Sequence, residues 1–203
     1  MTGSRAYTED SLKDLESAQL GSIHDEVVLG HCARQIRYIT GEMKELDRCL
    51  TAEAAQNEGA RLLASMTRMG TYFALLLAVE IGDISRFRDP KNMVSWAGLC
   101  PTVHQSGDSK YMGRMKKMDT DTLVNWAMCE AANTAARHDP RMAAVYESAR
   151  RRHADKHAPA VVVVANKMVT IAWHILKTRT PYESRNEKLY QRKLNRMKRA
   201  RKE

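Results

Sequence analysis

Hydrophobic positions in this 203-residue chain recur mainly at intervals of three and four, and helices are the elements this predicts. In the first third, Leu29, Cys32, Ile36, Ile39, Met43, Leu46 and Leu50 alternate steps of three and four, which is the a/d seam of a coiled coil. Three heptads that also contain Gly30 and Gly41 suit either self-association or a hairpin packed on the rest of the chain, with self-association slightly favoured. From Arg61 to Ile81 the pattern reads helix, Met-Gly turn, helix. Asp89-Pro90 and Asp139-Pro140 each offer an N-cap followed by Pro at the first helical position. A long apolar helix begins near Ala158-Pro159 and reads as the central core helix. Thr180-Pro181-Tyr182-Glu183 has the order of a capping box opening a terminal helix. Only Leu99 to Asp119 lacks helical pattern, and it reads as a long polar loop. The fold expected is all-α: a helical arm with the seam over residues 1–64, a compact helical domain over 65–178 and a basic helical tail over 179–203.

Composition narrows the class. Hydrophobic residues at 43% fill one core, and charged residues at 28% solvate its surface. No apolar run reaches the roughly 18 residues of a membrane helix, and the first ten residues lack the order of a signal peptide. The expectation is a soluble, cytoplasmic protein with no membrane partner. Cys32, Cys49, Cys100 and Cys129 are too scattered for a zinc site or a disulfide framework. His153 and His157 are four apart and could share a helical face, but no carboxylate or thiolate stands at ligand spacing, so exposed histidines are preferred to a metal site.

The net charge of +9 is concentrated at one end, since residues 177–203 hold eleven Lys or Arg against three Glu. Arg185, Lys188, Arg192, Lys193, Arg196, Lys198 and Arg199 are spaced to cover a helix nearly all round, and a polyanion is the partner such a segment suits. The rival reading is a disordered solubility tail. A second basic cluster, Lys110, Arg114, Lys116 and Lys117, lies in the polar loop beside Ser106-Gly107. Gly permits close backbone approach and cations stabilise charge on a phosphate, so Ser106 is a candidate hydroxyl there. By residue type alone, an ordinary turn serine is the simpler reading.

The stretch from Ser65 to Tyr182 changes those odds. Glu80-Ile81-Gly82-Asp83-Ile84 with Arg86-Phe87, then Trp96-Ala97-Gly98-Leu99-Cys100-Pro101, Ser106-Gly107 and Gly113 follow one another. After them come Glu130-Ala131-Ala132, Asp139-Pro140-Arg141, Tyr146, and Lys156 through Lys167-Met168 to Trp173-His174-Ile175-Leu176. In this order they resemble the C-terminal half of the IS one-ten family of insertion-sequence transposases, relatives of the Piv and MooV DNA invertases. The resemblance implies a transposase acting on DNA, with Ser106 as nucleophile and Ser109 as the fallback. It also implies a RuvC-like half with acidic metal ligands, supplied in trans and bringing Mg²⁺, with no cofactor held by this chain. A structured guide RNA, a homo-oligomeric state and a prokaryotic, nucleoid-associated location belong to the same expectation. Glu80 and Asp83 are expected at helix ends or core contacts rather than on a metal. Thr67-Arg68 replaces the family's Pro-Gly turn, and Leu123-Val124 stands where Leu-Arg is usual. The non-enzymatic alternative is a truncated remnant or regulator that binds nucleic acid and cuts nothing.

Overall fold

The computed structural model describes residues 8–18, 21–106, 109–115, 120–183 and 186–201, with the backbone alone described for 101–106 and 109–115. The chain divides into two units, 1–49 and 50–203. The divisions expected at 64/65 and 178/179 both fall inside the second unit, because Ala54, Ala60 and Leu63 near its start and Met197 near its end share one core.

In the first unit, α1 (Glu9–Glu16) is capped by Thr8, whose Oγ1 accepts Ser11 N–H. Arg37 ties it to the following helix, donating from Nε to Glu9 at 2.8 Å and from both Nη atoms to Glu16 at 2.8 and 3.0 Å. That contact holds the Glu16 carboxyl below its usual pKa. The helix α2 (Ile23–Gln56) is continuous for 34 residues, about 50 Å of rise. The seam lies along it: Leu29 and Ile36 are half-buried, while Ile39, Met43 and Leu46 are 52%, 64% and 62% exposed.

The second unit is helical as the patterning predicts, with one addition. It contains α3 (Glu58–Leu63), α4 (Thr71–Ile81), a 3-10 turn (Ile84–Arg86), α5 (Pro90–Trp96), α6 (Thr122–His138), α7 (Pro140–Arg152), α8 (His157–Thr178) and α9 (Glu187–Ala200). The expected polar loop is instead largely an antiparallel hairpin of β1 (Pro101–Ser106) and β2 (Ser109–Met115). The two Asp-Pro caps form as read: Asp89 accepts Asn92 N–H, and Asp139 accepts Arg141 and Met142 N–H. Asp83 caps the 3-10 turn by accepting from Ser85, which lowers its pKa and fits its expected place at a helix end.

Around α8 the other elements assemble. Ala160, Val161, Val164, Ala165, Met168, Val169, Ala172 and Ile175 are buried, against α3, α5, α6 and α7. With a mean hydropathy of 1.5, α8 is long and apolar enough to cross a membrane by length and composition, contrary to the sequence reading. Its packing makes it the core helix of the unit. Trp173 Nε1–H reaches across to Phe87 O at 3.2 Å, and the Arg86 guanidinium stacks over Phe87 and Trp96.

The capping box at Thr180 does not form. Arg179 ends α8 with φ +54, and Tyr182 N–H is taken by the buried hydroxyl of Ser65 at 2.8 Å. The cap of α9 is Asn186, whose Oδ1 accepts Leu189 N–H.

Candidate functional site

The hairpin is clamped at its base. Gly98, just before β1, has φ +66, a conformation that favours glycine, and a Cβ there would come within 3.1 Å of Thr120 Cβ. Asp121 N–H donates to Trp96 O at 2.9 Å, joining the chain that leaves the hairpin to the chain that approaches it. Asn125, one turn into α6, donates from Nδ2 to Ala97 O at 2.9 Å and to Gly98 O at 3.1 Å. Asp121 also caps α6 through Val124 N–H. Leu99, 1% exposed, plugs the core beside this clamp. Two strands thus project from a fixed base instead of forming a free loop. Asn125 and Gly98 were missed as site-building residues, since a half-buried amide bridging two carbonyls has no local sequence signature.

The register pairs Ser106 with Ser109, Gln105 with Lys110 and His104 with Tyr111. Both candidate serines therefore sit at one point, where β1 ends and β2 begins, and directly paired residues on antiparallel strands have Cα atoms about 4.5–5.5 Å apart. Arg114 lies one residue before the end of β2. Lys116 and Lys117 fall outside the described residues, as does Arg185.

The basic terminal helix is two-sided. Lys188, Arg192, Arg196, Lys198 and Arg199 are exposed on α9, while Tyr190 and Met197 are buried. Lys193 turns inward with them. Its Nζ donates to the carbonyls of Ala64 and Met69 at 2.8 Å each, with a longer contact to Met66 O at 3.4 Å, closing the turn after α3. Burial, and secondarily the charge of Arg68, push its pKa down to about 8. Tyr190 adds a bond from its hydroxyl to Arg61 O. The expectation of charge all round the helix is corrected accordingly: one face is spent on the core.

No group of three or more His, Cys, Asp or Glu able to hold a metal occurs among the described residues. His157 Nδ1 is 2.7 Å from Tyr146 Oη, which engages one of the two histidines weighed as ligands.

Sequence comparison adds an observation independent of this geometry. Residues 60–147 match the transposase family IS116/IS110/IS902. The 43.6 kDa protein of insertion element IS110 from Streptomyces coelicolor is 26% identical over 79% of this chain and 39% of its own length. The transposase for insertion sequence element IS1328 of Yersinia enterocolitica is 27% identical over 67% of this chain and 41% of its own. The pilin gene-inverting protein of Moraxella bovis is 24% identical over 89% of this chain and 50% of its own. The chain thus spans half or less of the length of each of these relatives.

Proposed function

We propose that this chain acts in DNA transposition or recombination as the serine-bearing part of a transposase. Ser106 Oγ attacks the phosphorus of a scissile phosphodiester. The P–O bond to the leaving sugar breaks, that sugar hydroxyl takes up a proton, and the other strand end stays esterified to the serine. One phosphate ester is exchanged for another, so a second sugar hydroxyl can reverse the step and rejoin DNA without an outside energy source. A serine hydroxyl needs help to lose its proton at neutral pH. No residue of the chain is assigned that task, and a RuvC-like half acting in trans with Mg²⁺ is proposed to supply it. Lys110, Arg114, Lys116 and Lys117 are the cations proposed to bear on the phosphate.

The observation that carries this reading is the clamped hairpin: within the family-matched span, Ser106 ends a strand whose base is pinned by Asp121 and Asn125. DNA at the chromosome is the partner, with cytoplasmic action at the nucleoid, and a structured guide RNA is a further partner of the same reading. Self-association runs through the exposed a/d stripe of α2, since heptad faces complement copies of themselves. With the RuvC-like half and Mg²⁺ present, Ser106→Ala should abolish a denaturant-resistant protein-DNA adduct, and Ser109→Ala should retain it. An adduct formed by Ser106→Ala at the wild-type level would remove Ser106 from the mechanism. A wild-type chain that binds DNA and never forms an adduct would favour the alternative of a non-cutting, truncated remnant or regulator.

A further inference from the structure

The second unit has two adjoining hollows between the turn after α3, the junction of α6 with α7 and the first turns of α9. One, about 230 Å³, is lined by residues that include Arg68, Arg192 and Lys193. The other, about 430 Å³, includes Arg68, His138, Asp139 and Arg141. Thr67, Arg68, Asn186 and Leu189 line both. Asp139 is the one carboxylate among the described lining residues, and it is buried, with its Oδ1 occupied by the Arg141 and Met142 amides. The guanidiniums of Arg68, Arg141 and Arg192 have no ion-pair partner among the described residues. Three exposed arginines converge on a concave surface whose floor is fixed by the inward Lys193.

Arg68 carries the second observation. Its φ is +62, in the left-handed region that a side chain with a Cβ enters at a cost. The turn therefore holds an arginine where glycine would sit more easily. The side chain makes no compensating bond to the described residues, so the fold gains nothing visible from it.

We propose that this double hollow is a nucleic-acid backbone clamp, in which Arg68, Arg141 and Arg192 pair with successive phosphates of a strand. This rests on the nucleic-acid reading above and adds to it a site separate from the hairpin. Guanidinium groups bind phosphate oxygens through paired N–H donors, and each neutralised phosphate releases counterions.

The test uses the full chain and anisotropy of a labelled duplex DNA and a labelled single-stranded RNA of one sequence, each across a salt series. Arg68→Gln with Arg141→Gln should weaken binding of at least one of them. For duplex DNA the log-log salt slope should fall by about 1.8, and for single-stranded RNA by about 1.4. Lys13→Gln with Lys44→Gln, in the first unit, removes the same charge and should leave the slope within error. Arg68→Gly separates binding from folding, because it relieves the backbone: its melting temperature should rise while its affinity falls several-fold. Equal slopes for wild type and the Arg68/Arg141 variant, on both ligands, would overturn the clamp, as would an equal loss from the Lys13/Lys44 control. A wild-type chain that binds neither ligand would instead sink the underlying nucleic-acid reading.

Discussion

Lys193 illustrates how one residue can count toward a charge tally and yet serve the fold. Its ammonium holds carbonyls at the turn after α3, so Lys193→Met should leave Ala64 and Met69 without that donor. The expected cost at pH 7 is about 1–3 kcal/mol, read from urea unfolding. The pH dependence has a definite sign. With the folded pKa near 8 and the ordinary value at 10.5, the unfolded chain binds the extra proton between those limits. Stability contributed by this group therefore rises as pH climbs from 8 to 10.5, and the Met variant lacks that rise. Parallel stability profiles for the two proteins across that window would contradict the assignment. Arg68 is the converse case, a charge the fold does not use. Its neighbour Thr67 and the residue itself stand where the resemblance implies Pro-Gly, and the positive φ explains why glycine suits that position.

At the scale of elements, what the sequence made legible was local. The Asp89 and Asp139 caps were readable because both acceptor and amides lie within four residues, and Pro at the next position admits one conformation. The apolar run of α8 announced its own centrality. The Thr180 capping box failed because its amides had a distant competitor: Ser65, more than a hundred residues earlier, takes Tyr182 N–H. The inward face of α9 was hidden for a related reason. A lysine at a buried position looks like any other until three carbonyls of another turn are brought beneath it. The hairpin was missed because residues 101–115 are polar and lack the strong alternation that signals a strand. The clamp by Asn125 is a tertiary contact across 27 or 28 positions. The seam of α2 was legible as a period, and the structure adds which part of it is uncovered. Ile39, Met43 and Leu46 are the positions to disturb, since Ile36 is already half-buried. In the proposed self-association, changing all three to Asp should lower the mass to that of a monomer in sedimentation equilibrium, with the overall helical circular dichroism retained. An unchanged mass would show that the stripe does not mediate self-association.

For the whole molecule, the chain combines a long helix with an apolar stripe, a core built around α8, a rigidly based hairpin and basic surfaces on α9 and beside Arg68. The similarity to the transposase family was readable from motifs in order, whereas the position of Ser106 opposite Ser109 emerges only from strand register. In the proposed reaction, that register makes the two serines close rivals. The most direct measurement is to trap the protein-DNA adduct with the RuvC-like half and Mg²⁺ present, digest both components, and locate the nucleotide-bearing residue by tandem mass spectrometry. The expected result is a nucleotide joined through its phosphate to the Ser106 oxygen. A modified Ser109, or any other modified residue with Ser106 intact, would contradict the account.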